Sequence, residues 1–204
     1  MCVTAYDVSG GKGFVSQVLR CTLTFVDSNS PNDVYHTILK IPSMDSMNEA
    51  KEKSEFNMDN FEKANKKDKY IFMAEVHKFE CDFYNNLTTI IDVPCPKVFQ
   101  TREWIIKKQE GVIHMEDLTL RGKTIMYFEN INLTQVKCVI RHLAHMHYKL
   151  LTVDPKIWKG KFLKNQEAMA AISQHADIMI NPMIKSSKRE GKNQRSKFLI
   201  CFKE

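Results

Sequence analysis

Glycines, a lysine and a glutamate in the first 80 residues have the types and the order that phosphate handling requires. Residues 9–20 read SGGKGFVSQVLR and place three glycines within four positions, ahead of an alternating strand pattern. Glycine allows a positive φ and lets backbone N–H groups approach an anion closely, although it also forms ordinary turns. Lys40 ends the apolar stretch TILK, and Glu80 lies in HKFECDFYNNL at the edge of an apolar stripe. These residues suggest a phosphate-binding loop beside a pair of opposite charges.

Lys40 and Glu80 each stand on an otherwise apolar element, where an isolated charge is costly. An ion pair between them would remove that cost, although Glu62 and Glu75 are competing partners for the lysine. A glycine loop, a strand lysine and a helix glutamate, in that chain order, form the nucleotide-handling set of kinase N-lobes. The loop covers the phosphates, the lysine binds their oxygens, and the glutamate holds the lysine. Taken singly, each residue also has an ordinary explanation, such as a lysine that snorkels at a strand end.

Hydrophobic spacing predicts the strands and helices that must position these side chains. Residues 14–26 alternate and residues 34–41 resume as a strand, so together they predict an antiparallel hairpin next to the glycine loop. The polar residues 43–69 predict a surface insertion with one short helix. From Tyr70 to about Thr88, apolar residues recur at steps of three and four and predict an amphipathic helix. The first strand carries Val15, Gln17, Leu19, Cys21, Leu23 and Phe25 on one side and Ser16, Arg20, Thr22 and Thr24 opposite, and the helix stripe comprises Phe72, Val76, Phe79, Phe83 and Leu87.

The later residues predict further strands and then helices only. Residues 91–101 predict a short strand bounded by prolines, and residues 103–118 read as strand, Lys-Lys-Gln-Glu-Gly turn and strand. A second helix begins after the capping residue Asn132, and a third covers 164–180. Five short strands and one helix, followed by helices, predict an α+β fold with two lobes. The apolar face of the second helix comprises Leu133, Val136, Ile140, Leu143, Ala144, His147, Leu150 and Leu151.

With these elements in place, the chain resembles the ecdysteroid-kinase-like, or choline-kinase-like (CHK), proteins, relatives of choline kinases and aminoglycoside phosphotransferases within the protein-kinase-like fold. Six segments carry the resemblance, in the family's order, over residues 8–151: GGKGFVSQVLR, TILKIP, FECDFY, VPCPKVF, GVIHMEDL and LAHMHYKLL. The resemblance implies a five-stranded antiparallel N-lobe with one helix, an incomplete helical C-lobe, and ATP as cofactor. It assigns nucleotide binding to Gly11, Gly13 and Ser16 in the phosphate loop, to the pair Lys40 and Glu80, and to Met115, Glu116, Asp117 and Leu118 as a hinge that reads the adenine edge.

A phosphotransferase also needs an aspartate beside the acceptor hydroxyl and Asp or Asn side chains that hold Mg²⁺. In the resembling family these come from an HGD…N-type loop and a second aspartate motif, and the sequence shows neither. The nearest match is HADIMIN, with His175, Asp177 and Asn181, but its Asp-to-Asn spacing is one residue short and it lies within a predicted helix. We therefore predict weak ATP binding, no catalytic residue, no Mg²⁺ site, and a chain truncated before its catalytic loop.

Two other features suggest ligands but have a simpler structural explanation. His142, His145 and His147 alternate with apolar residues on a helix, and no carboxylate or cysteine completes a metal site there. The net charge of +6 could attract nucleic acid, but +5 of it lies in residues 185–204, which read as a solvated, disordered tail rather than a folded basic face. Nucleic acid is therefore not expected as a partner.

Composition favours a soluble globular protein, with 43% hydrophobic and 26% charged residues. Apolar runs stop after five residues, and the N-terminus lacks a basic region followed by an apolar core, so neither a membrane span nor a signal peptide is expected. Six cysteines are scattered without a CxxC pair, which favours reduced thiols and a cytoplasmic location.

These observations predict three units: a kinase-like N-lobe and hinge over 1–118, a partial helical C-lobe over 119–184, and a basic tail over 185–204. The resemblance implies an ATP-dependent phosphotransferase that acts on a small-molecule hydroxyl, such as a steroid or a choline-like alcohol, and that is inactive as this truncated chain. The alternative is a non-catalytic, pseudokinase-like nucleotide-binding or regulatory module. The expected partners are a nucleotide, a small-molecule acceptor if the C-lobe is complete, and a protein that covers the incomplete lobe.

Overall fold

The computed structural model describes residues 1–9, 16–27, 29–30, 33–45, 65–122 and 131–164. Its elements are β1 (Cys2–Asp7), β2 (Ser16–Thr24), β3 (Val34–Pro42), α1 (Lys66–Asn86), α2 (Thr88–Ile91), β4 (Val98–Arg102), β5 (Val112–Glu116), α3 (Leu133–Thr152) and a 3-10 helix at Pro155–Ile157. The strands form one five-stranded antiparallel sheet in the order β1-β2-β3-β5-β4. The fold class is therefore α+β, as predicted, and the arrangement is that of a kinase-like N-lobe followed by a partial helical lobe.

The segment before β5 differs from its prediction. Residues 103–106, predicted as a strand, make only an isolated bridge between Ile105 and Gln109. Lys107 has a φ of 63° in the turn between them, a left-handed conformation that a strand does not contain. The predicted insertion over 43–69 ends early, since α1 begins at Lys66. Residues 46–64 of the insertion and nearly all of the predicted helix over 164–180 lie outside the described residues.

The sheet buries its core on the side that faces α1. Directly opposite residues in antiparallel strands share a face, so Arg20, Ile38 and Met115 line up across β2, β3 and β5. Ile38 and Met115 are buried with Ile113 and with Cys81 of α1. The predicted alternation of β2 is present, but the core under α1 forms on the side of Ser16 and Arg20 rather than on the side of the larger apolar set.

α1 packs through a different row of side chains from the predicted stripe. It begins at Lys66, four residues earlier than expected, behind Asn65, whose side chain accepts a hydrogen bond from the Asp68 N–H. The buried residues are Met73, His77 and Cys81, at steps of four, whereas the predicted phenylalanine stripe is only half-buried. His77 is tolerated inside because its Nε2 donates to the Arg102 carbonyl at 2.9 Å. A count of apolar residues could not predict this buried row of α1, because the row contains a hydrogen-bonded histidine.

α3 begins as the sequence predicts. Asn132 Oδ1 accepts from the Gln135 N–H, and Gln135 Oε1 accepts from the Asn132 N–H, both at 2.9 Å, which makes a capping box. No residue of α3 is buried, and its predicted apolar face is exposed, with Ile140 57% and Leu151 82% accessible. The capping box therefore starts a helix whose apolar side is left uncovered by the other described residues.

Asp92 joins α2 to α3. It ends α2 with a φ of 48°, and its carboxylate lies 3.1 Å from His145 Nε2 and 3.7 Å from Lys149 Nζ. His145, one of the three histidines considered above, is therefore a hydrogen-bond partner of Asp92. In the part of the chain that the structure covers, no helix has the length and apolar character needed to cross a membrane.

Candidate functional site

Lys40 and Glu80 form the ion pair that the sequence predicts, between the end of β3 and the middle of α1. Lys40 Nζ donates to Glu80 Oε1 at 2.6 Å and to Oε2 at 2.7 Å. Of the competing partners, Glu75 is exposed on α1 and Glu62 lies outside the described residues. A lysine ammonium has three N–H donors, of which the carboxylate uses two. Among the contacts between described residues, one donor of Lys40 therefore remains for another anion.

The surroundings of the ion pair are weakly solvated on the helix side. The Lys40 and Glu80 side chains are 27% and 26% exposed. Burial raises the pKa of Tyr84 to about 12, and the charge of Glu80 adds to the shift. Burial, followed by the charge of Glu80, raises the pKa of the Cys81 thiol to about 11. Cys81 and Tyr84 therefore stay neutral beside the Glu80 carboxylate, and Lys40 supplies the positive charge that balances this carboxylate.

The predicted phosphate loop lies between β1 and β2. Gly11 and Gly13 are outside the described residues, but the strands on either side locate the loop. The Val8 N–H donates to the Val18 carbonyl at 2.8 Å and so closes the hairpin. Ser16 is buried at the start of β2, and Val18 lies directly opposite Lys40. Since neighbouring strands are about 4.8 Å apart, the start of β2 lies immediately beside Lys40.

Val18 is a site residue that the sequence interpretation omitted. It shares the α1-facing side of the sheet with Lys40 and packs against the core that contains Ile113. The kinase motif G-x-G-x-x-G-x-V has a valine two residues after its third glycine. Ser16 occupies the position of that third glycine, and Val18 occupies the position of the valine. The motif spacing was therefore a signal that could have identified it. Val18 offers an apolar surface next to the lysine, on which a flat base can pack.

The predicted hinge follows the end of β5, and most of its backbone groups are already engaged. The Met115 carbonyl accepts from the Thr37 hydroxyl at 2.8 Å, and the Glu116 N–H donates to the Lys97 carbonyl at 2.9 Å. The Leu118 carbonyl accepts from two N–H groups further along the chain. Among the hydrogen bonds between described residues, none uses the Asp117 N–H or the Leu118 N–H. Of the four predicted hinge residues, Asp117 and Leu118 thus have backbone N–H groups without a partner among the described residues, and either could donate to an adenine edge.

Asp117 acts through its side chain, which the sequence interpretation did not foresee. Arg20 Nε donates to Asp117 Oδ2 at 2.6 Å, and the two side chains are 17% and 6% exposed. Burial by itself would raise the pKa of the Asp117 carboxyl, but hydrogen bonds from Thr119 and Arg20 outweigh that effect and hold the pKa below its usual value. Arg20 also donates to the Tyr6 hydroxyl at 3.1 Å. This ion pair ties the hinge to β2, and no local sequence pattern signals a contact between residues 97 positions apart.

Within the described ranges, no group of three or more His, Cys, Asp or Glu side chains could hold a metal ion. His175, Asp177 and Asn181 lie outside those ranges, so the interpretation of HADIMIN stays a prediction. The described site therefore consists of an ion pair, an apolar strand surface and a hinge, next to a glycine-rich loop.

A comparison with protein-family models places nearly the whole chain in one family. The model described as "Uncharacterized oxidoreductase dhs-27" (DUF1679) matches residues 3–198. No curated protein and no solved structure matches the chain. The matched range includes the sheet, α1, the hinge and α3, so the candidate site lies within the family's shared region.

Proposed function

Because this chain belongs to the DUF1679 family, which is related to the ecdysteroid-kinase-like and choline-kinase-like proteins, we propose that it binds ATP as a kinase N-lobe does. The observation that carries the proposal is the Lys40–Glu80 ion pair, made by both carboxylate oxygens, where β2 leaves the glycine loop. A lysine held in this way presents a fixed positive charge to a phosphate at little further cost in side-chain entropy.

Each described residue of the site has a role in this proposal. Lys40 donates its remaining N–H to a phosphate oxygen, and Glu80 holds the ammonium in position. Val18 packs against the base. The Asp117 or Leu118 N–H donates to the edge of the base, and the Arg20–Asp117 ion pair holds the hinge at the right distance from β2. Gly11, Gly13 and Ser16 bind the phosphates through backbone N–H groups.

The word oxidoreductase in the family description suggests a different use of nucleotides. Dinucleotide-binding oxidoreductase domains are built on a mostly parallel sheet with helices on both faces. Every strand pair in the described sheet is antiparallel, and the motif residues surround a strand lysine rather than a strand-to-helix turn. These features favour a kinase-like nucleotide site over a dinucleotide site.

By its family relationship, the activity we propose for a relative that carries a catalytic loop is transfer of a phosphoryl group from ATP to a small-molecule hydroxyl. For this chain we propose cytoplasmic nucleotide binding without useful turnover, as a CHK-kinase-like protein. The basis is the sequence, in which Asp177 and Asn181 are the nearest match to the catalytic loop and have the wrong spacing. The alternative is a pseudokinase-like regulatory module that pairs with a protein through the exposed apolar face of α3.

Calorimetric titration of ATP into the full chain tests the binding proposal. We expect Lys40→Met and Gly13→Val to weaken binding about ten-fold or more, because each removes a phosphate contact. Lys78→Met is the matched control, since Lys78 lies on α1 but pairs with Glu103 and not with Glu80. Equal affinity for ATP in the wild type and in Lys40→Met, with both proteins folded by circular dichroism, would refute the proposal.

Turnover of labelled ATP separates the two functional alternatives. We expect no transfer to choline, ethanolamine or hydroxysteroids by the wild type. Transfer that is present in the wild type and lost in Asp177→Asn would show that HADIMIN is a catalytic loop and that the chain is an active kinase.

A further inference from the structure

We propose that a cavity at the N-terminal end of α1 is a second binding site, which accepts a small aromatic phosphate monoester. The cavity has a volume of about 550 Å³, within the range of pockets that bind drug-sized ligands. It lies between the first turn of α1 and the turn that connects β4 to β5. Among the described residues that line it, none belongs to the predicted hinge.

Two aromatic side chains form an apolar wall of this cavity. Tyr70 of α1 and Trp104 of the turn pack edge to face, with ring centroids 5.7 Å apart and an interplanar angle of 66°. Gly111 approaches this wall so closely that a Cβ there would lie 2.8 Å from Trp104 Cβ. The aromatic wall is therefore held in place before any ligand arrives, which suits a flat ring.

The charges around the aromatic wall favour an anion. Lys66, Lys67 and Lys107 line the cavity, and Glu110 is the one acidic residue among the described residues of its lining. Among the ion pairs that join described residues, none includes any of these three lysines. The described part of the lining thus has a net charge of +2, and a phosphate monoester carries close to two negative charges at neutral pH. A ring attached to such a phosphate matches both the wall and the charge.

The cavity is separate from the proposed ATP site, and the inference does not rest on that function. Lys66 is the first residue of α1, and Glu80 lies further along the same helix. At 1.5 Å per residue, their backbones are about 21 Å apart along the helix axis. A phosphate monoester of a single ring cannot reach from one site to the other.

Tryptophan fluorescence provides a direct readout of this cavity. The chain contains two tryptophans, Trp104 and Trp158, so Trp158→Phe leaves Trp104 as the only emitter. Phenyl phosphate is titrated as the probe, with inorganic phosphate and benzyl alcohol supplying the anion and the ring separately. We expect a saturable change in Trp104 emission with phenyl phosphate and at least ten-fold weaker effects with either half, because the two contacts add in free energy. If Trp158→Phe does not fold, calorimetry on the wild type replaces the fluorescence.

Charge variants show whether binding occurs at the cavity. Neutralising Lys66→Gln together with Lys107→Gln should weaken phenyl phosphate binding about five- to ten-fold, as expected for two partly exposed charge contacts. The matched control is Lys159→Gln with Lys161→Gln, two exposed lysines after α3, which should leave binding unchanged. The inference is overturned if phenyl phosphate shows no saturation up to about 10 mM, if the control pair has the same effect, or if Lys40→Met abolishes binding.

Discussion

The Lys40–Glu80 ion pair should contribute measurably to stability, and α1 provides its own comparison. Lys78 and Glu103 form a second ion pair on the same helix with the same N···O distance of 2.6 Å. The two pairs differ in solvation: the side chains of Lys40 and Glu80 are 27% and 26% exposed, whereas those of Lys78 and Glu103 are 47% and 46% exposed. The shortest N···O distance is therefore matched, whereas burial differs, Lys40 makes a second hydrogen bond to Glu80, and Lys78 also lies 3.7 Å from Asp82.

The expected magnitude follows from that difference in exposure. Two charge-assisted hydrogen bonds in partly shielded surroundings predict a coupling free energy of about 1–3 kcal/mol for Lys40 with Glu80. For Lys78 with Glu103, screening by solvent and salt reduces the expected coupling to about 0.2–1 kcal/mol. The Lys40–Glu80 coupling should also survive better in salt, since mobile ions screen exposed charges most effectively.

Double-mutant cycles in urea denaturation measure both coupling energies. One cycle uses Lys40→Met and Glu80→Gln, and the other uses Lys78→Met and Glu103→Gln, each at low and at high salt. Equal coupling in the two cycles, or a larger value for the exposed pair, would contradict the idea that shielding strengthens the Lys40–Glu80 contact. A change in m-value would signal loss of two-state unfolding and require hydrogen exchange instead.

Three further predictions concern buried groups near the site. Because the folded pKa of Asp117 is lowered, its ionised form stabilises the fold above the unfolded pKa of about 3.9. That contribution is lost as pH falls through the folded pKa. The difference in the free energy of unfolding between the wild type and Asp117→Asn, measured by urea titration, should therefore narrow below about pH 4 and not at pH 6 to 8. Cys81 has a pKa of about 11 and is 1% exposed, whereas Cys138 is exposed. At pH 8, Cys81 should therefore react with iodoacetamide roughly a hundred-fold more slowly than Cys138, as mass spectrometry of peptides can measure. Comparable rates would contradict the burial of Cys81. Gly111→Ala should destabilise the fold by about 1–3 kcal/mol in urea, since its Cβ would lie 2.7 Å from the His77 ring; an unchanged midpoint would mean that the ring moves aside freely.

Local patterns determined the elements and the ion pair. Asn132 and Gln135 predicted the start of α3 because a capping box is closed within four residues of chain. Lys40 and Glu80 were predicted to meet because each was the charged residue of an apolar element, and an unpaired charge there is costly. The order of strands and helices predicted the α+β fold for a similar reason, since alternation and helical spacing are properties of neighbouring residues.

Only the tertiary structure decided which faces are buried and which distant residues meet. The buried row of α1 contains His77, whose burial depends on the carbonyl of Arg102, 25 residues away. Arg20 and Asp117 are 97 positions apart, and their contact exists because β2, β3 and β5 lie side by side. The same sheet order places the Thr37 hydroxyl against the Met115 carbonyl, and the β4–β5 turn places Trp104 against Tyr70. Hydrogen-bond satisfaction and burial depend on partners from other elements, and a pattern of neighbouring residues carries no information about those partners.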